Sequence, residues 1–262
     1  MDSKKIEFDI SSSMTTDQEY DMIELKVNNS IRPGCKDIWN AFMVEGAYFG
    51  KYDIPFCPTT ATDVPQKMVT WNEAKELHRK HISRKEYDYK ENAFVNWYLD
   101  DYKFDRPSGI WHKYNYVLTV LRHFAGAITP DFGTNQDFPA AVKIYATYRM
   151  RAYGYWLGKE GIKIINNVRW GTAETYSYCF EGIPKNSIIS IGTVGGSPRK
   201  IIDRHRFENG LYRMVEILKP HTILIYGSDK GKCFDILRKQ GITIVSFQSR
   251  TAKVYEGRKQ HE

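Results

Sequence analysis

The chain has 262 residues, 42% hydrophobic and 14% aromatic, enough apolar material for a packed core and too much for a globally disordered chain. No apolar run approaches the roughly 18 residues that a membrane span requires, and "MDSKKIEFDI" lacks the charged-then-apolar layout of a secretory signal, so a cytoplasmic protein without a membrane partner is expected. The formal charge of +7 is uneven: residues 1–90 carry 13 Lys/Arg against 15 Asp/Glu, and residues 91–262 carry 25 against 16. An anionic partner would therefore meet the later portion.

In chain order, residues 1–30 are polar and weakly patterned and read as an arm. Residues 31–90 read as an N-terminal elaboration packed on the core. Within it "CKDIWNAFM" has helical spacing, the prolines of "DIPFCPTTATDVP" demand extended or turn structure, and "WNEAKELHRKHI" reads as a helix. From residue 92 the pattern becomes regular. Apolar runs "AFVNWYL", "GAIT", "IKIINNV", "SIISIGT", "TILIYGS" and "ITIVSFQS" alternate with the helical stretches "WHKYNYVLTVLRHF", "FPAAVKIYATYRMRAYGYWLGK", "RFENGLYRMVEIL" and "KGKCFDILRKQG". "TAETYSYCF" begins with a threonine suited to cap a helix.

Six near-continuous Ile/Val/Leu strands separated by helices imply an α/β fold with a parallel sheet. Its form is either a barrel-like (β/α) repeat or an open doubly wound sheet, with residues 91–250 as the core and 251–262 as a basic tail. The N-terminal region is free to supply further strands to a barrel.

In either form ligands gather at the carboxyl ends of the strands. Those ends carry Asp100, Asp101, Asp131, Asn167, Arg169, Trp170, Thr193, Tyr226, Ser228 and Gln248. Each has a plainer role available: Asp131 as a turn former, Arg169 as an ion-pair partner of Glu174 or Glu181, Trp170 as a core plug. As a set they outline a rim. Asp101 and Asp131 are the candidate acid–base pair, and with Asp100 they are candidate oxygen ligands for Mg²⁺ or Mn²⁺. Trp170 or Tyr226 would stack on a base.

The loop "GTVGGSPRK" brings Gly195, Gly196, Arg199 and Lys200 to the start of a helix, a phosphate-binding composition that is neither GxxxxGK[ST] nor GxGxxG. Arg204, His205 and Arg206 extend the positive patch. The cysteines Cys35, Cys57, Cys179 and Cys233 form no CxxC pair, and their spacing with His78 and His81 matches no common zinc module.

The phrases "NAFMVEGAYFGKYDIPFCPTTA", "DDYKFDRPSGIWH", "VLRHFAGAITPDFGTNQDFP", "INNVRWGTAETYSYCFEGIPKNS", "IGTVGGSPRK" and "LKPHTILIYGS" resemble one family over about residues 31–250. It is the domain-of-unknown-function family numbered 4417, found in Gram-positive bacteria, their phages and mobile elements. The family pattern has Ser after "PDF"; this chain has Gly133. The resemblance implies a phage or mobile-element context in a bacterial cytoplasm, and carries over no catalytic role.

The expectation is thus a strand-end site that acts on or binds a nucleotide or nucleic acid, as a metal-assisted hydrolase or transferase if it is an enzyme. The competing expectation is a non-catalytic inhibitor or replication accessory protein that binds a macromolecular host partner. A glycoside-active barrel is a third, since paired carboxylates and aromatics also suit sugars.

Overall fold

A computed structural model describes residue 37 and residues 39–193, 201–249 and 252. Seven strands, β1 (Met68–Thr70), β2 (Glu91–Asn96), β3 (Phe124–Ile128), β4 (Ile164–Asn167), β5 (Ile188–Gly192), β6 (Thr222–Tyr226) and β7 (Thr243–Phe247), pair in parallel in strictly sequential order. The helices are α1 (Trp71–Ser83), α2 (Tyr114–Leu121), α3 (Ala140–Lys159), α4 (Ile201–Leu218) and α5 (Lys232–Lys239). A sequential order has no reversal point, so the sheet is not doubly wound. It curls into a half-barrel, the barrel-like of the two expected forms.

Six strands lie where the apolar runs placed them. The seventh, β1, is a three-residue strand running straight into the cap of α1. There Thr70 Oγ1 accepts from Glu73 N (3.3 Å), and the Glu73 carboxylate accepts in return from Thr70 N (2.7 Å). Two expected helices are only short 3-10 turns. "CKDIWNAFM" yields Ala41–Val44, because Asn40 enters it with a left-handed φ of 56° while its side chain donates to Trp111 O (2.7 Å). "TAETYSYCF" yields Ala173–Ser177; Thr172 makes no side-chain cap, and Thr175 instead donates to Thr172 O (2.8 Å) and accepts from Gly171 N (3.0 Å).

Side-chain alternation divides the strands between two faces. Val95, Trp97, Ile164, Ile189, Ile191, Ile223 and Ile225 pack beneath the helices in the main cores. Phe94, Tyr98, Ile128, Ile165, Ile188, Leu224 and Tyr226 line the concave face. The wall between β4 and β5 is completed from outside the strand series: Thr60 N and Ala61 N both donate to Ile164 O (3.0 and 3.2 Å), and Ile164 N donates to Thr60 Oγ1 (2.8 Å). The N-terminal elaboration therefore takes hydrogen bonds on the β5 side of β4, at the end opposite the strand tips. Among the described residues no helix is long and apolar enough to cross a membrane.

Candidate functional site

All seven strands run the same way, so their carboxyl ends form one edge of the half-barrel. A cleft of about 800 Å³ opens there, within the size range of small-molecule sites. Its lining includes Asp101, Asp131, Thr134, Asn167, Arg169 and Trp170.

The paired amides of "INNVRWG" separate by alternation. Asn166 turns away from the cleft and donates to Cys57 O (2.8 Å) and Thr59 Oγ1 (3.2 Å), bracing the N-terminal segment. Asn167 turns into the concave face and donates to Asp131 Oδ1 (2.9 Å). Arg169 Nη1 donates to Asp131 Oδ2 (3.0 Å) and Nη2 to Asn135 Oδ1 (3.1 Å). Both oxygens of Asp131 are thereby committed, and Arg169 pairs with it rather than with Glu174 or Glu181. Asp131 above all, and Asp101 more weakly, raise the Arg169 pKa, so this guanidinium is a permanent cation in the cleft.

Beneath this layer the Tyr98 hydroxyl lies within hydrogen-bond distance of Asn167 Oδ1 (3.1 Å) and Ser190 Oγ (2.7 Å). Burial, and then the Asp131 charge, hold the phenol well above its usual pKa, so it stays a donor. Its ring stacks on Tyr226 at 5.4 Å, and a Cβ at Gly192 would press against it at 2.6 Å, which makes the glycine a packing requirement. Thr129 Oγ1 accepts from Asn167 N (2.8 Å). From the helix side, fully buried Arg151 donates to the carbonyls of Asn167 (3.0 Å), Glu181 (3.1 Å) and Cys179 (3.2 Å).

Asp101 differs from Asp131. It stands at the start of a 3-10 turn, Asp101–Lys103, and its carboxyl lies flat against Gly133, where a Cβ would meet Asp101 Cγ at 3.1 Å and overlap Oδ2. No donor among the described residues reaches that carboxyl. Burial is the main cause of its raised pKa, Asp131 and Asp105 add to it, and Arg169 and Arg149 oppose it. Two carboxyls in one cleft are thus set apart, one clamped by a cation and one unpartnered and resistant to ionisation.

The remaining expected residues are placed as follows. Asp100 lines the cleft but is exposed and pairs with Lys103 (2.5 Å). Among the described residues no three His, Cys, Asp or Glu side chains form a metal-ligand group. Trp170 lines the cleft while packing on Phe207 (centroids 5.4 Å apart) and over Gly210, so it is both wall and plug. Tyr226 lines the floor. Thr193 and Ser228 bond to one another, Thr193 Oγ1 donating to Ser228 O (3.2 Å), and tie β5 to β6 beside the cleft rather than lining it. Arg206 of α4 lines the cleft, donating to Gln136 Oε1 (2.9 Å). Gly195, Gly196, Arg199 and Lys200 lie outside the described residues, as do Cys35, the N-terminal arm and nearly all of the basic tail. Burial pushes the Cys57 and Cys179 thiols up to about 12, which makes both unreactive.

Tyr98, Thr134, Ser190 and Arg151 were not singled out from sequence. Ser190, the one hydroxyl inside "IISIG", was the available signal. Tyr98 and Arg151 read as ordinary strand and helix residues.

The family Domain of unknown function (DUF4417) matches residues 47–248, which contain β1 to β7 and all of the described lining of the cleft except Ser249. The chain is 30% identical over 198 residues to the "Gene 1 protein" of Mycobacterium phage L5, an alignment covering 76% of this chain and 80% of that protein. It is equally identical over 198 residues to the "Gene 1 protein" of Mycobacterium phage D29, covering 68% of the latter. No solved structure matches. With the family match spanning most of its length and phage proteins among its relatives, the chain belongs to the DUF4417 family.

Proposed function

We propose that the protein binds a nucleotide, or the end of a nucleic-acid strand, in the strand-end cleft, with a phosphate toward Arg169 and the base toward the aromatic wall of Trp170, Phe207 and Tyr226. The observation that carries this reading is the placement of a clamped guanidinium, an unpartnered carboxyl and aromatic rings in one cleft. The basic excess of residues 91–262 and Arg206 at the cleft edge agree with an anionic ligand. Phage relatives fit nucleic-acid handling, as an association only.

Within this reading the two carboxyls divide the work. Asp131 fixes Arg169 and Asn167, and Asp101 is the group that exchanges a proton with the ligand. Any hydrolase or transferase step would draw its acid from Asp101.

The test is the thermal midpoint against nucleoside mono- and triphosphates, short DNA and RNA, and sugars, each with and without Mg²⁺. A ligand at about 100 times its dissociation constant stabilises the folded state by about 2.7 kcal/mol. A shift with phosphate-bearing nucleosides, lost in Arg169→Gln, is the expected result. A flat nucleotide series overturns the reading.

A second reading has one observation in its favour. Tyr102, beside Asp101 in the same turn, is 68% exposed, as suits a residue that docks a macromolecular partner over the cleft. Binding to nucleic acid with a steep salt dependence, and no response to mononucleotides, would favour it.

A further inference from the structure

The cleft holds polar groups whose hydrogen-bonding capacity is unfilled among the described residues. Thr134 is 5% exposed and lines the cleft, yet its hydroxyl has no partner. Arg169 carries five N–H groups and directs one at Asp131 and one at Asn135. The Asp101 carboxyl is seated on Gly133, the residue before Thr134, with no donor from the described residues reaching it. A buried donor without an acceptor is costly. Thr134 is the buried one of the three, and together they favour a ligand that presents acceptors to Thr134, to the spare N–H groups of Arg169 and to the Asp101 carboxyl while it is protonated.

We propose that Asp101, Thr134 and Arg169 form a single subsite for a tetrahedral oxyanion, in which the Asp101 carboxyl serves as a hydrogen-bond donor to a phosphate-type oxygen. This rests on the cleft being the ligand site, and it names the part of the ligand that each group takes. Arg169 supplies charge and direction, Thr134 a neutral hydrogen bond, and Asp101 an O–H that exists only while the group is protonated.

The charges around Asp101 make that last contact sensitive to pH. Asp131 on the loop after β3 and Asp105 after the 3-10 turn raise its pKa, whereas Arg169 after β4 and Arg149 on α3 lower it, and burial outweighs each of them. Asp100 and Lys103 from its own turn, and Asp203 and Arg206 from α4, line the same cleft, with Asp100 paired to Lys103 and Asp203 to Arg206 (3.8 Å). Once Asp101 ionises, a donor becomes an anion beside the bound oxyanion, so affinity falls as pH rises. Gly133 is part of the device: a side chain there would occupy the seat of the Asp101 carboxyl.

Sulfate is the discriminating probe, because its charge is constant where phosphate titrates. Its affinity for the full chain would be measured by calorimetry at about pH 4 and about pH 8, on either side of a carboxyl raised above the ordinary aspartate value. The expected wild-type result is a loss of about tenfold or more between the two. Asp101→Asn keeps a donor and cannot ionise, so it should bind equally at both pH values and at least as tightly as wild type at the lower one. Thr134→Val should weaken binding about two- to tenfold at both. The histidines are unchanged in Asp101→Asn, so their titration cannot account for a difference between the proteins.

Sulfate binding that is flat with pH in wild type, or that keeps its pH dependence in Asp101→Asn, overturns the subsite, as does failure to bind sulfate at either pH. Those results leave the nucleotide reading standing if nucleotides still shift the thermal midpoint. The expected sulfate behaviour with a flat nucleotide panel sinks the nucleotide reading and keeps the subsite.

Discussion

Arg151 Nη1 donates to the backbone carbonyl of Asn167 (3.0 Å), the residue whose side chain holds Asp131 (2.9 Å). One guanidinium beneath the sheet thus fixes the strand end that presents the cleft's central carboxylate. Further bonds from it reach Cys179 and Glu181, so it also holds down the segment between β4 and β5, where no α-helix intervenes. Arg151→Met would leave buried carbonyls unsatisfied. We expect a loss of about 3–5 kcal/mol, read as a lower urea midpoint with an unchanged slope.

Asp131 and Arg169 should behave as a coupled pair. Their side chains are 15% and 29% exposed, so solvent reduces the interaction without removing it. Asp131→Asn is expected to cost about 1–2 kcal/mol, and Arg169→Gln a similar amount. The double variant should cost less than the sum, since each single change strands the other's charge. A double-mutant cycle by chemical denaturation checks this, and full additivity would mean that the pair contributes nothing.

Much of this architecture is legible in the residues. Parallel strands covered by helices must be apolar nearly throughout, which is why six of them stand out, and the places where such runs turn polar mark the rim that holds Asp101, Asp131, Asn167 and Arg169. β1 is hidden because three residues carry no periodicity of their own and abut a capped helix. The two 3-10 turns are hidden because a long-range bond from Asn40 to Trp111 and local bonds of Thr175 with Thr172 and Gly171 displace the regular caps that the sequence favours. Tyr98 and Arg151 are hidden for another reason: an aromatic in an apolar strand and an arginine in a helix look like packing and surface until the fold brings Ser190, Asn167 and Cys179 to them.

Gly133→Ala isolates the seat of Asp101. The backbone at Gly133 lies outside the left-handed region, so alanine brings no conformational strain there, and the new Cβ conflicts only with the Asp101 carboxyl. That short side chain can swing toward solvent, and the stability change should stay within about 1 kcal/mol. The displaced carboxyl should titrate closer to an ordinary aspartate. Carbonyl-detected NMR of Asp101 in the two proteins would show the downward move, and an unchanged titration would mean that the glycine does not hold the group.

The raised pKa of Asp101 also predicts how stability responds to pH. The folded state binds this proton more tightly than the unfolded chain, whose aspartates titrate near about 3.9. Asp101 therefore favours folding most fully below that value, and the advantage is lost as pH rises through its higher folded pKa. Above that point wild type holds a poorly solvated carboxylate next to Asp131, whereas Asp101→Asn does not. The variant should melt higher than wild type at neutral pH, by roughly 1–3 °C for a half-buried group in a chain of this size. The difference should shrink as pH falls through the folded pKa, and should vanish near the unfolded one. Melting curves of both proteins from about pH 4 to about pH 8 test the sign directly. A variant less stable than wild type at neutral pH would mean that Arg169 outweighs burial and that the Asp101 pKa is not raised in the folded protein.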